Sequence, residues 1–324
     1  MHMEERILSG IRPSSRLHIG NYLGAIRQWI ELQNLSRSFF MIADLHAITT
    51  PFDPKTMPQA VKGVALDYLA AGLDHHKATL FVQSHIPEHV ELAWLFGTLT
   101  PIGELNRMTQ FKEKGEGKAS ANLGLLAYPV LMAADILIYK ATGVPVGEDQ
   151  LQHVELARVI ARKFNAKYGD TFPEPKALLS HGKRVMSLND PKKKMSKSDG
   201  GGIQLDDTPE AITKKVMKAV TGTKGGDGNP GVMNLMMLLK EFSDPTTYRQ
   251  FLNEEETGTI KYSELKAQLA EDIARHFDAF RKKRAELAGN NRYLEEILGA
   301  GAKEARAIAR KTLDEVKRKM GLTE

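Results

Sequence analysis

Apolar positions along the chain follow one rhythm up to about residue 206 and another after it. "ERILSGI" reads as a short strand, with Ile7 and Leu8 apolar and Gly10 ending it. A polar loop leads into "LHIGNYLGAIRQWIELQ", where Ile19, Leu23, Ile26, Trp29, Ile30 and Leu32 recur near the helical period. "SFFMIADLH" is an uninterrupted apolar run that ends in polar residues, as a strand buried on both faces of a parallel sheet does. "PKTMPQAVKGVALDYLAAGL" predicts a helix stopped near Gly72, and "ATLFVQS" a third strand. Strands alternating with helices predict an α/β fold with a parallel sheet. Such sheets bind ligands at the carboxyl ends of their strands, where Gly10, Asp44 to His46 and Gln83 fall.

After Asp206 the pattern is helical only. "TPEAITKKVMKAV", "VMNLMMLLKEF", "SELKAQLAEDIARHFDAFRKKRAEL" and "AKEARAIARKTLDEVKRKM" each carry the helical period, separated by stretches such as "TGTKGGDGNPG". The chain of 324 residues has room for two cores, so an α/β domain followed by an α-helical domain is expected. "KEKGEGK" and "PKKKMSKSDGGG" read as loops.

Composition narrows the chemistry. Hydrophobic residues at 42% and charged residues at 26% describe a soluble globular chain. The longest apolar run, "ANLGLLAYPVLMAADILIY", is broken by Pro129 and Asp135, which argues against a membrane span. The start, "MHMEERILSG", lacks the charged-then-apolar order of a signal peptide. With no cysteine there is no disulfide, thiolate zinc site, cysteine-held cluster or thiol nucleophile, which fits a reducing cytoplasm. A net charge of +5 permits a polyanionic partner without requiring one.

Two short stretches carry candidate chemistry. A strand, a loop and a helix start form a natural anion site, because free N–H groups and the helix dipole favour negative charge. In "HIGN", His18 has a donor for a phosphate, Gly20 allows close approach of a base or sugar, and Asn21 adds a donor independent of pH. Alone, a surface histidine and a packing glycine would explain the stretch as well. "KKKMSKS", Lys192 to Ser198, is either a solvated charge run or a loop of lysines and hydroxyls that clamps a triphosphate as charge develops.

Together, "HIGN" after the first strand and "KMSKS" at the domain boundary resemble the two signatures of class I aminoacyl-tRNA synthetases, with Asn21 in place of a second histidine. "SGIRPSSRLHIGNYLGAI", "ADLHAIT", "YPVLMAADILIYKATGVPVGEDQLQHVELAR", "KMSKSD" and "GAKEARAIARKTLDEVKRKMGL" resemble the bacterial tryptophanyl branch, from about Ile7 to Leu322. The resemblance implies a Rossmann-like nucleotide-binding domain over 1–190, with a dimer-interface segment near 86–125. It further implies a mobile signature loop over 191–204, a helical anticodon-binding domain over 205–295, and a final helix over 296–324 packing back on the catalytic domain.

It also implies a reaction: tryptophan attacks the α-phosphate of ATP, and the resulting adenylate passes its tryptophanyl group to tRNA(Trp). ATP would arrive with Mg2+ held mainly by phosphates and water, with no metal site built by the protein. The implied partners are L-tryptophan, ATP, tRNA(Trp) and a second copy of the chain, with no membrane or DNA, in the cytoplasm.

Residue by residue, the resemblance assigns His18, Asn21, Lys194, Lys197 and Lys114 to catalysis. Arg12, Ser14, Gly20, Gly147, Asp149, Met195, Ser196 and Ser198 join them in ATP binding. Asp135 resembles the acceptor of the indole N–H, which is a donor only; Met132, one turn earlier, packs beside it. Leu8, His46, Tyr128, Val144, Val146 and Gln150 complete the tryptophan pocket, although His46 also reads as an ordinary loop histidine. Arg12 stands where many relatives carry Gln, and either adds a contact to ATP or tRNA or points to solvent. "RKKR" (281–284) and "NNRY" (290–293) suit RNA, but the resemblance does not single them out. "WLFGTLTPIGELNRMTQ" reads equally as an interface and as a buried helix.

Overall fold

The computed structural model describes residues 5–14, 16–114, 122–179, 184–195, 201–222 and 229–323, with Lys114 described as backbone only. Five strands, β1 (Arg6–Ile11), β2 (Arg37–Ile42), β3 (Ala78–Val82), β4 (Gly143–Val146) and β5 (Lys176–Leu179), form one sheet in the order β3-β2-β1-β4-β5. Every pairing is parallel. The chain builds outward from β1 to β3, then returns to the other side of β1 with β4. The crevice between β1 and β4 is therefore the switch point at which such sheets bind ligands. The last strand, β5, carries only four residues and no distinctive pattern, and the sequence did not predict it.

Alternating side chains divide the core between the two faces of the sheet. Ile7, Phe40, Ile42, Leu80 and Val82 face Leu17, Trp29 and Tyr68, in a core that continues into the helices after residue 208. Leu8, Phe39, Met41 and Phe81 face the helices Leu123–Ile138 and Leu151–Tyr168. This double burial is why β2 and β3 read as continuous apolar runs.

Three elements depart from the plain periodic reading. The first helix contains a π-helical stretch, Tyr22–Ile26, between helical Ile19–Asn21 and Arg27–Leu32. The wider turn keeps Leu23, Ile26 and Trp29 buried while Asn21, Gly24 and Ala25 face a cavity. The long helix expected over "SELKAQLAEDIARHFDAFRKKRAEL" breaks at Phe277 into Tyr262–His276 and Asp278–Ala288. The Phe277 ring is drawn inward against Tyr22, Phe242 and Phe280. A further helix, Pro245–Glu256, was not anticipated.

The helices after residue 208 lie on the Trp29 face, and the final helix, Asn291–Lys319, returns to the sheet. There it covers the edge strand β3 and buries Ala305, Ala309, Leu313 and Val316 in the second core. Gly301 makes this possible: a Cβ there would stand 1.9 Å from the backbone oxygen of Leu80.

Candidate active site

A cavity of about 570 Å³ opens at the carboxyl ends of β1 and β4. Of the residues assigned from sequence, Leu8, Arg12, Ser14, His18, Asn21, His46, Tyr128, Met132, Asp135, Val144, Val146, Gly147, Asp149 and Gln150 line it. They come from positions 8 to 150, so the sheet topology rather than chain proximity brings them together.

The "HIGN" stretch forms a reciprocal helix cap. His18 Nδ1 accepts the Gly20 N–H at 3.1 Å, and Asn21 Oδ1 accepts the His18 N–H at 3.1 Å. Both bonds have chemical consequences. With Nδ1 accepting, the hydrogen of a neutral ring sits on Nε2. With Asn21 Oδ1 engaged, the amide N–H groups are what this cavity-lining side chain has left to offer. Gly20 itself is absent from the cavity wall; a Cβ on it would stand 2.9 Å from His18 Cε1 and Nδ1. Its contribution in this structure is room for the His18 ring.

The start of the second signature lies close by. Backbone bonds Ile19 N to Ile203 O (2.9 Å) and Leu205 N to Leu17 O (3.0 Å) bind the segment after that loop to the "HIGN" helix start. Lys194 stands outside the cavity wall, half-exposed, with its Nζ 3.8 Å from Asp149 Oδ1. Met195 lies outside the cavity wall. Its side chain is 3% exposed and packs in the core, and its N–H donates to Val185 O. An apolar residue between lysines turns its side chain into the core, which leaves its backbone as the part it can offer to a ligand. Lys197, Ser196, Ser198 and the Lys114 side chain lie outside the described residues.

Asp135 is fully buried at the end of the helix Leu123–Ile138 and reaches the cavity beside His46. His46 Nε2 lies 2.7 Å from Oδ2, His89 Nδ1 lies 2.5 Å from Oδ1, and Gln83 Nε2 is 2.9 Å from both. Burial acts to raise this carboxyl, but the hydrogen bonds from His46 and His89 prevail and hold it well below the usual carboxylate range. Asp135 is thus an ionised, acceptor-only group in an otherwise apolar wall of Leu8, Met132, Val144 and Val146. His46 is more than a loop histidine, because it is 8% exposed and bonded to this carboxylate.

On the polar side, the Tyr128 hydroxyl pairs with His153 Nε2 at 2.7 Å, and burial pushes the phenol up to about 12. Gln150 Nε2 donates to Asp149 Oδ2 at 2.8 Å. Burial works to raise Asp149, but the Gln150 bond and the Lys194 ammonium leave it below its ordinary value. The cavity therefore has an apolar slot ending in a carboxylate, next to a polar mouth with donors on one side and a second carboxylate on the other. Among the described residues, no group of three or more His, Asp or Glu is placed to hold a metal ion.

Sequence reasoning passed over His89 and found nothing to select Gln83, yet both donate to Asp135. The available signal was indirect: a buried aspartate requires donors, and polar residues just after a buried strand are where they come from. His85, two residues after Gln83, is exposed and away from the cavity. In the basic run, Arg284 is bonded to Asp67 at 2.6 Å and Arg281 to the Ala274 oxygen at 2.6 Å, so half of it is structural. Asn290 caps the final helix, and Tyr293 is bonded to His75.

Residues 2–278 match the family model for tRNA synthetases class I (W and Y). The chain is 45% identical over 331 residues to the tryptophan--tRNA ligase of Caldanaerobacter subterraneus subsp. tengcongensis, covering 98% of each. It is 43% identical to the tryptophan--tRNA ligase of Bacillus subtilis, covering 99% of this chain and 98% of that one. Its fold is similar to a crystal structure of tryptophanyl-tRNA synthetase from Campylobacter jejuni complexed with ADP and tryptophan. The TM-score is 0.86 at 36% identity, over 98% of this chain and 100% of that one.

Proposed function

This chain belongs to the class I tRNA synthetases for tryptophan and tyrosine, and from that premise we infer that it activates L-tryptophan with ATP and charges tRNA(Trp) in translation. The observation that carries the reading is full-length identity of 43–45% to tryptophan--tRNA ligases. The buried Asp135 supports the choice of amino acid: an ionised acceptor at the end of an apolar slot suits an indole N–H. A phenylalanine side chain would bring no donor to Oδ2, leaving it only the His46 and Gln83 partners it already has. Sites of this polarity reject such analogues by roughly 10⁴–10⁵-fold.

In the proposed arrangement, tryptophan lies in the slot with its ring beside Met132, Val144, Val146 and Leu8. Tyr128 and Gln150 receive its ammonium group, and His46 flanks Asp135. The carboxylate of tryptophan then faces the α-phosphate of ATP. His18 Nε2–H and the Asn21 amide donate to the phosphates, with Arg12 and Ser14 on the same wall. Asp149, beside Gly147, accepts from ribose hydroxyls. Bond formation from the carboxylate to the α-phosphate expels pyrophosphate, so charge moves onto the leaving group. Lys194, with Lys197, Ser196, Ser198 and Lys114 assigned from the sequence signature, neutralises that charge. In this reading Lys194 exchanges Asp149 for pyrophosphate. Magnesium enters with ATP, on its phosphate oxygens.

The domain division stated from the sequence is part of the same proposal, as is a cytoplasmic place of work. Among the described residues, no helix is long and apolar enough to cross a membrane. We also propose a homodimer. Within 86–125, Trp94 and Leu123 are each 77% exposed and Ile102 is 68% exposed, while Leu95 and Phe96 are buried in the protomer. Exposed large apolar groups clustered in one segment favour a partner surface.

Tryptophan-dependent exchange of pyrophosphate into ATP tests the activity. Exchange is expected with tryptophan and not with tyrosine; the reverse preference overturns the reading.

A further inference from the structure

Asp135 is gripped from two sides, and only one of them is the cavity. His46 shares the cavity wall with it, whereas Gln83 and His89 are fully buried behind it. Oδ1 takes His89 Nδ1 and Gln83 Nε2, both from the buried side. Oδ2 takes the same Gln83 nitrogen and His46. Oδ2 is therefore the oxygen that an incoming donor would share with His46.

His89 is itself held. Its Nε2 lies 2.7 Å from the Tyr139 hydroxyl. An ionised carboxylate only accepts, so His89 must donate through Nδ1. The Tyr139 hydroxyl then supplies the hydrogen for Nε2 and sets the tautomer. Burial keeps that phenol protonated, well above its ordinary range. The Tyr139 ring has little freedom: it is fully buried, stacked on Phe39 at 4.7 Å and tilted against Phe81 at 5.6 Å. Tyr139 also caps the helix that carries Asp135, so the two residues stand one turn apart, and His89 bridges them from the helix Glu88–Gly97.

We propose that His89 and Tyr139 are positioning residues for the choice of tryptophan, fixing the rotation of the Asp135 carboxylate so that Oδ2 faces the indole N–H. This rests on the assignment of Asp135 to the indole. Neither residue lines the cavity, so each acts through Asp135. A purely structural pair would satisfy buried polar groups and support every substrate alike. A positioning pair matters only for a side chain with an N–H at that place.

The test is pyrophosphate-exchange kinetics with tryptophan and with its sulfur isostere, β-(3-benzothienyl)alanine. The intact protein is compared with Tyr139→Phe, His89→Asn, His89→Leu and Asp135→Asn. Tyr139→Phe keeps the packed ring and removes only the hydroxyl. It is expected to lower kcat/KM for tryptophan roughly 10-fold, through KM, with KM for ATP and use of the isostere unchanged. His89→Asn retains an amide donor near the Nδ1 position and should keep more of the tryptophan preference than His89→Leu. Equal losses for both amino acids across these variants would mean packing alone and overturn the proposal. So would a full tryptophan preference in His89→Leu. Asp135→Asn separates the two levels. If it loses the preference while the His89 and Tyr139 variants keep it, only the positioning role falls. If it keeps the preference, the indole assignment falls and the positioning role with it.

Discussion

The Nδ1 atom of His18 accepts the backbone N–H of Gly20 at 3.1 Å, and this bond determines which nitrogen of the neutral, cavity-lining ring carries the hydrogen. The histidine is thus both a helix cap and a donor, and one role orients the other. A Cβ at position 20 would stand 2.9 Å from the ring. Gly20→Ala should therefore turn the ring away, leaving the fold intact. Displacement of a positioning group by about an ångström costs on the order of 10²-fold in rate. The expected outcome is a loss of that size in kcat for exchange, with Tm little changed. A variant of full activity would show that the cap does not orient His18.

Asp135 is held ionised by His46 and His89 against the effect of burial. Its contribution is present above the ordinary carboxylate range and is lost only as pH falls below it. The KM for tryptophan should then show no carboxylate ionisation between about pH 5 and pH 8. A break in that profile that disappears in Asp135→Asn would place the Asp135 titration in this range and contradict the structure.

Asp67 behaves in the opposite sense. Burial raises its carboxyl from 3.8 to about 6, opposed in part by the Arg284 guanidinium. The folded chain therefore binds this proton more tightly than the unfolded chain does. The resulting stabilisation is fully present below the unfolded value and is lost as pH rises through the folded one. Unfolding in urea should show this contribution declining from about pH 4 to pH 6, and Asp67→Asn should flatten that part of the profile. The same slope in the variant would assign it to other groups.

Trp94 is 77% exposed on the helix Glu88–Gly97. If the 86–125 segment is the interface between two copies, Trp94→Asp should shift the sedimenting species from twice the chain mass toward once. An unchanged dimer would place the interface elsewhere, and a monomeric intact protein would remove it.

Much of the site was legible because its chemistry is carried by short motifs next to recognisable strand ends. Leu8, His18, Asn21, Asp135 and Asp149 were singled out by the resemblance of those motifs to a known family, since local reading alone left ordinary alternatives open, and all line one cavity. The inward turn of the Met195 side chain was not legible, because the motif does not say which of its residues faces inward. An apolar side chain flanked by lysines is drawn into the core. The ion pair of Arg284, in a run that suits RNA, was not legible because its partner, Asp67, lies 217 positions away.

By itself the sequence determined the α/β alternation, the change to helices after Asp206 and the family, because period and motif are local properties of the chain. Only the tertiary structure decided that β4 lies beside β1, which creates the crevice, and that Phe277 breaks a helix to join an aromatic cluster. It also decided that Asp135 is held by donors 46, 52 and 89 positions away. A buried charge needs partners close in space, and the nearest donors are set by how strands and helices stack. No periodicity along the chain encodes that choice.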